Sequence, residues 1–400
     1  MAHRHLPAFV YSKSPSLMPD EVPVFTFHYV EPVSFEAQLK FLQRNGYTAL
    51  SGQEFENFLL GKFSAPSRSV LLTFDDGSAS LFSVAFPLLK KYGFRAVSFI
   101  IPGLISETAP ESPTYSDFVA GKADINELLR REKGDFPLCS WEEIREMHRS
   151  GTVEFHSHSL YHHLISVAPE LVDFLHPGYK AYYFGRINIP VYRLNGKPYF
   201  DRQMPLGTPI FRAEPRYYAL PEFLDNEAVR RECIDYVSRK GGAQFFAKRH
   251  WRSELRGIFQ DARRKFGAGK YQSREEQEED ILADLTESKR RIEAELPGHK
   301  VTQFCYPWFI GSELAVRLSR RAGYRVNFWG IIKNRPISRP GADPYHCPRL
   351  EDRFLYRLPG EGRWSLLKIL QQKFVRYGTR RDPLIRQTNL YAEKAPQFSS

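Results

Sequence analysis

No run of apolar residues in this 400-residue chain is long enough to span a bilayer, and Met1–Glu21 holds none long enough for a secretory signal. The sequence therefore offers no segment expected to cross a bilayer as a helix, and the expected location is the cytoplasm. Cysteine is scarce: Cys139, Cys233, Cys305 and Cys347 are scattered, with no C-x-x-C pair. That argues against a disulfide scaffold and against a structural zinc site. Acidic residues are outnumbered, with 46 Asp and Glu against 57 Lys and Arg, giving a net charge of +11 and a pI near 9.3. Such a balance favours acidic surroundings: an anionic glycan, a phosphate-carrying sugar donor or lipid, or a membrane surface. No nucleic-acid motif accompanies it, and the positive charge is spread along the chain, so no nucleic-acid partner is expected. Apolar and aromatic residues are plentiful, at 42% and 14%, which is enough for a substantial core and excludes a mostly disordered chain. By length alone the chain should form two or three units.

Short apolar runs alternate with helix-length amphipathic segments. Strands are expected at Val22–His28, Tyr47–Leu50, Ser69–Phe74, Ala96–Ile101, Thr152–Phe155, Thr302–Tyr306 and Arg325–Phe328. Ser51-Gly52-Gln53-Glu54 and Ser140-Trp141-Glu142-Glu143 read as capping boxes, and Gly46, Gly93, Gly151 and Gly323 sit just past helix ends. This alternation predicts an α/β fold around a parallel sheet, closed or open.

The most informative stretch is Val70-Leu71-Leu72-Thr73-Phe74-Asp75-Asp76-Gly77, a buried strand followed by two adjacent carboxylates and a glycine. Like charges this close raise one another's pKa. A metal ion relieves the difficulty by taking one carboxylate as ligand and leaving the other as a base. Asp-Asp-Gly also serves as a plain turn sequence. The histidines tip the balance. Four of the 12 (His156, His158, His162, His163) fall within Glu154–Leu164, and the four-residue spacing of His158 and His162 would place both on one face of a helical turn. A solvated surface cluster is the ordinary alternative. Combined with the Asp-Asp-Gly strand end, the pair supplies an Asp-His-His triad with a position left for water, the composition of a catalytic site.

On these motifs the chain resembles the polysaccharide deacetylases with a NodB homology domain, carbohydrate esterase family 4. Thr73-Phe74-Asp75-Asp76-Gly77 is similar to the first motif of that family and His158-Ser159-Leu160-Tyr161-His162 to the second. Phe304-Cys305-Tyr306-Pro307-Trp308-Phe309 is similar to the third, and Pro348-Arg349-Leu350 resembles a short arginine-bearing strand found in one branch. That branch, which includes poly-N-acetylglucosamine deacetylases, is circularly permuted and carries its acid histidine on an N-terminal strand, a pattern matched by Val24-Phe25-Thr26-Phe27-His28-Tyr29. The resemblance implies a distorted, incomplete (β/α) barrel with a large inserted subdomain. Residues 20–165 and 273–352 would form the barrel, 166–272 the insertion or lid, and 353–400 a basic C-terminal helix and tail.

The resemblance also implies the roles. Asp76, His158 and His162 would hold a divalent metal, with zinc the expected ion and cobalt or nickel compatible. Asp75 would take a proton from water, the backbone N–H of Trp308 would hold the oxyanion, and His28 would protonate the leaving amine. Tyr306, Pro307 and Arg349 would line the substrate site, and the substrate would be an N-acetylated saccharide, anionic or carrier-linked.

Four departures from the family pattern stand out. His156 replaces a small residue, His163 offers a second partner to His158, and Cys305 and Phe309 replace the usual arginine and glycine. His162 is preferred to His163 because Leu164 then falls where the family places its leucine. The missing C-terminal Leu-x-His motif leaves His28 as the acid candidate. In the tail, Trp364–Tyr377 carries apolar residues at 366, 367, 370 and 374, a basic amphipathic helix that would pack on the barrel or lie on an anionic membrane. Two other readings stand beside N-deacetylation: O-deacetylation or cleavage of another linear C–N bond on the same fold, and a non-catalytic glycan-binding or assembly protein.

Overall fold

The computed structural model describes residues 6–134, 136–179, 190–195, 197–199 and 204–371. The chain forms two compact units, one built from residues up to Tyr161 together with those from Leu282 onward, the other from His162–Ile281.

The first unit is a parallel α/β sheet. Its strands are β1 (Val24–Phe27), β2 (Thr48–Ala49), β3 (Ser69–Asp76), β4 (Ala96–Ile100) and β5 (Val153–Ser157), and after the second unit β12 (Gln303–Cys305), β13 (Val326–Phe328) and β14 (Leu350–Glu351). They run in the order β13-β12-β5-β4-β3-β1-β14, with β2 beside β3. Residues 347–351 draw the two edges together: Cys347 bridges Phe328 in parallel, and Leu350 pairs with Phe25 on β1. Seven strands take part where a full (β/α) barrel has eight, and this short seam is the distorted part of the ring. β3 lies between β1 and β4 and is buried at every position, as a central parallel strand covered on both faces should be. Inside, the Phe99 ring packs 5.0 Å from Phe328, and Phe55 lies 5.7 Å from Phe328.

The helices begin as their sequences dictate. Ser51 and Glu54 form a reciprocal capping box, and Ser140 and Glu143 form another. Gly93 ends the helix Phe86–Tyr92 in the left-handed conformation, φ 70°.

Two local expectations are corrected. β3 does not stop at Phe74; both carboxylates lie on the strand, Asp75 opposite Phe99 and Asp76 opposite Ile100. His158–His162 is no helical turn but an irregular one, with positive φ at Ser159 (69°) and His162 (56°).

The second unit is inserted between β5 and β12. It contains β6 (Leu164–Phe174), β7 (Pro190–Leu194), β8 (Lys197–Tyr199) and β9 (Pro209–Pro215) in the order β8-β7-β6-β9, and the antiparallel pair β10 (Phe223–Asp225) and β11 (Gly269–Tyr271). Its helices Glu227–Arg239 and Trp251–Phe266 pack Val229, Cys233, Leu255 and Phe259 against Phe174 and Phe211. The aromatic residues Phe174, Phe211, Phe223, Phe245, Trp251 and Phe259 thus form this unit's own core. The helix Arg274–Glu295 leads back to the barrel and buries Ile281, Leu285 and Ile292, as its periodicity predicts.

All four cysteines are buried free thiols. Among the described residues no helix is long and apolar enough to cross a membrane. Residues 366–371 of the expected C-terminal helix are helical, with Leu367 and Leu370 exposed and Ile369 buried, and the remainder of that segment lies outside the described residues.

Candidate metal centre

The C-terminal ends of the parallel strands converge on one polar cluster, where barrels of this class gather their chemistry. β3 contributes the two carboxylates and then turns sharply. Asp76 has φ 69°, and the Gly77 N–H donates to the Asp75 carbonyl at 2.8 Å. Glycine is required next: Gly77 has φ 75°, and a Cβ there would meet Ile100 Cγ2 at 2.9 Å.

The two carboxylates occupy opposite environments. Asp75 is 1% exposed and clamped by Arg349, whose Nη1 donates to Oδ1 at 2.6 Å and Nη2 to Oδ2 at 2.7 Å. Burial alone would raise its pKa, but the Arg349 guanidinium, with His158 and His28 assisting, holds the carboxyl far below the usual range. Asp76 is shifted the other way. Burial and the neighbouring Asp75 charge push its pKa well up, and Arg349 offsets this only in part.

His158 follows β5 and is 2% exposed. Its Nδ1–H donates to the Cys305 carbonyl at 2.9 Å, which leaves the Nε2 lone pair 3.5 Å from Asp76 Oδ1. A backbone acceptor behind the ring is the usual way to fix the tautomer of a metal-binding histidine. Burial lowers its pKa to about 4 against the pull of Asp75, so the ring is neutral at pH 7. The division between the two units falls at the peptide bond after Tyr161, within the turn that follows β5. Asp76, His158 and His162 each present a ligand atom, all within 4.8 Å of one another, and all three residues are buried. His163 is engaged elsewhere: its Nε2 accepts from Arg216 Nε at 2.6 Å, and burial and Arg216 push its pKa well below normal.

A second group, Asp75, His158 and Cys305, is equally close. It makes a poor metal site, since both Asp75 oxygens are taken by Arg349 and burial keeps the Cys305 thiol protonated. The first group fits a divalent ion. It offers one carboxylate and two imidazoles, and a cation beside Asp76 would offset the two effects that raise its pKa.

His28 stands just past β1 at the mouth of the barrel. Its Nε2 lies 3.8 Å from Asp75 Oδ2, and 43% of its side chain remains open to solvent. The ring is still hemmed in enough that desolvation lowers its pKa, opposed by Asp75. Phe309 packs edge-on against it at 5.9 Å and also covers Arg349 at 5.3 Å. After β12, Pro307 opens a tight turn in which Trp308 and Phe309 both take positive φ, 60° and 61°. Glycine adopts this backbone more readily than any other residue, so Phe309 stands where glycine would have been easier.

Two expected substrate contacts are corrected. Arg349 is 1% exposed, and besides Asp75 its donors go to the Trp329 carbonyl and Thr73 Oγ1, so it orients Asp75 and has no face for a ligand. The Tyr306 side chain is fully buried, and its hydroxyl accepts from Asn327 Nδ2 at 2.8 Å. Cys305, whose Sγ–H points at Asp75 Oδ2 at 3.7 Å, and Phe309 are the neighbours of the site that sequence reasoning noticed only as departures. His156, another departure, shares the strand face of His158 but belongs to neither donor group.

Residues 62–172 match the family model described as Polysaccharide deacetylase. Over that stretch the chain carries a polysaccharide deacetylase-like domain. This domain is similar to poly-beta-1,6-N-acetyl-D-glucosamine N-deacetylases. With the protein of that name from Escherichia coli (strain K12) it shares 28% identity over 144 residues, 36% of this chain and 20% of that one. With its namesake from Staphylococcus aureus (strain MRSA252) it shares 31% over 138 residues, 34% and 39% of the two chains. The match thus spans well under half the length of either relative. Among solved structures, a de-N-acetylase from Aggregatibacter actinomycetemcomitans aligns with a TM-score of 0.49 at 19% identity, covering 83% of this chain and 94% of that one. The BpsB deacetylase domain from Bordetella bronchiseptica aligns with a TM-score of 0.49 at 15% identity, covering 84% and 98%.

Proposed function

We propose that the chain is a metal-dependent N-deacetylase acting on an N-acetylated amino sugar within a glycan or carrier-linked saccharide. The observation that carries this reading is the split between adjacent carboxylates: Asp75 is locked and ionised by Arg349, while Asp76 faces two imidazoles. A purely structural acid pair has no need of such opposite environments.

Asp76, His158 and His162 would hold the ion, which the deacetylase domain and the donor set favour as zinc. When bound, it supplies a Lewis acid that polarises the acetamide carbonyl and lowers the pKa of the attacking water. Asp75 accepts the water's proton at a fixed position; clamped so far below its normal pKa it is a weak base, and an acidified water is what such a base can deprotonate. The Trp308 N–H, presented by the turn after Pro307, donates to the oxyanion. His28, open to the mouth, gives a proton to the nitrogen as the C–N bond breaks, because an amide nitrogen leaves poorly as an anion. Acetate and a free amine result. Phe309 and Pro307 shape the wall against which the sugar lies.

The net charge of +11 favours an anionic or carrier-linked saccharide. A cytoplasmic, membrane-peripheral setting belongs to the same proposal, and cell fractionation tests it. The enzymatic reading is tested by acetate release from N-acetylated nucleotide sugars, lipid-linked sugars and oligosaccharides, using zinc-loaded protein. Release from at least one class, abolished by Asp75→Asn, is the expected result. Stoichiometric metal with no release from any class would favour a binding protein.

A further inference from the structure

A second group of histidines gathers around β5. His148 lies in the last turn of the helix Trp141–Arg149, His156 is on β5, and His299 is in the loop before β12. The His148 and His299 rings are 4.9 Å apart by centroid, and those of His156 and His299 are 5.2 Å apart. Glu154, two residues before His156 and so on the same strand face, has Oε2 3.8 Å from His156 Nε2, longer than a hydrogen bond.

His156 is the telling member. It is 2% exposed, and neither ring nitrogen has a hydrogen-bond partner. A neutral imidazole carries one donor and one acceptor, and buried polar atoms are normally satisfied. The neighbours are already prepared as ligands. His299 Nε2–H donates to the Phe155 carbonyl at 2.6 Å, which leaves its Nδ1 lone pair available, and burial together with His156 lowers its pKa to about 4. Burial likewise lowers the pKa of His148. Glu154 is kept ionised: burial raises its pKa, but His156, His299 and the Gly52 N–H outweigh it. Its carboxylate lies against Gly52, where an added Cβ would fall 2.6 Å from Oε2.

We propose that His148, His156, His299 and Glu154 form a second metal site, taking one first-row divalent transition ion such as Zn²⁺, Co²⁺ or Ni²⁺. Three imidazoles and a carboxylate are a donor set for such ions and a poor one for Mg²⁺ or Ca²⁺. The donors are not among the groups that already converge within 4.8 Å. Binding therefore turns the half-exposed His148 and His299 rings toward the strand, where His156 and Glu154 are held. A metal here ties the helix Trp141–Arg149, β5 and the loop before β12 together, through donors that belong to neither group at the deacetylase centre.

The test uses untagged full-length protein carrying Asp76→Ala and His158→Ala, so that the first centre is absent whatever its function. Cobalt(II) is titrated in, and the visible d–d absorption of four-coordinate Co²⁺ is followed. The expected result is a saturating signal at one Co²⁺ per chain, lost when His148→Ala and His299→Ala are added. Each single substitution should weaken cobalt affinity by at least tenfold, which keeps the test usable if the double variant folds poorly. Zinc should also raise the Tm of the parent variant and not that of His299→Ala. Absence of the cobalt signal in the parent variant would overturn the proposal, and so would a signal that survives loss of both surface histidines.

Discussion

Replacing Arg349 by Met keeps most of the side-chain volume and removes the charge that faces Asp75. The arginine is fully buried, and it meets the carboxylate through two hydrogen bonds of 2.6 and 2.7 Å with no solvent access to either partner. Removing one member of a buried pair costs about 3–5 kcal/mol, because the remaining charge is left uncompensated. That is a large part of a domain's usual 5–15 kcal/mol. Urea denaturation in EDTA, which keeps metal out of the balance, measures the loss. Asp75→Asn in the Arg349→Met background removes the stranded charge, so the double variant should recover about 2 kcal/mol or more relative to the additive sum. The pH dependence follows from the sign of the shift. Asp75 is held below its unfolded value of 3.8, so its contribution is complete above that value and fades as pH falls toward the lower folded pKa. Arg349→Met should abolish this acid-side loss and move the acid limb of the pH–rate profile upward, since burial now raises the Asp75 pKa. An Arg349→Met protein within about 1 kcal/mol of wild type, with an unmoved acid limb, would refute the reasoning.

Other outcomes follow from the same geometry. His158→Ala and His162→Ala should each lose bound metal, whereas His163→Ala should retain it, because His163 is turned to Arg216; plasma mass spectrometry of purified protein decides. His28→Ala should lower kcat on an N-acetyl substrate by roughly 10²–10⁴ with metal content unchanged, yet affect an aryl acetate much less, since that leaving group needs little protonation. Equal losses on the two substrates would make His28 a structural residue. Gly77→Ala should cost at least about 1–2 kcal/mol for the left-handed backbone alone, with the 2.9 Å approach to Ile100 adding to it; thermal melts measure this.

The sequence was most legible where one local rule dominates. The buried run ahead of Asp75, the capping boxes at Ser51 and Ser140 and the glycine after Tyr92 each announce an element that forms as expected. Hydrophobic pattern could not reveal that β3 continues through two acids, because Asp75 is made tolerable by an arginine 274 residues away in sequence. The same long-range pair hid the task of Arg349, which as an isolated residue looked like a ligand for substrate. Tyr306 was misread for a similar reason: its partner Asn327 lies on a neighbouring strand. The turn after His158 departs from helix because Ser159 and His162 take left-handed backbone, which spacing alone does not encode. In the insertion, aromatic residues carry no mark that separates a core ring from an exposed one until strands and helices close around them.

The central claim is that the adjacent carboxylates divide the work, Asp76 to the metal and Asp75 to the proton. Metal content and acetate release measured together on Asp75→Asn and Asp76→Asn test it directly. The account predicts that Asp75→Asn holds metal near the wild-type level and releases no acetate, while Asp76→Asn arrives without metal. An Asp75→Asn protein that is metal-free, or one that still turns over, would contradict it.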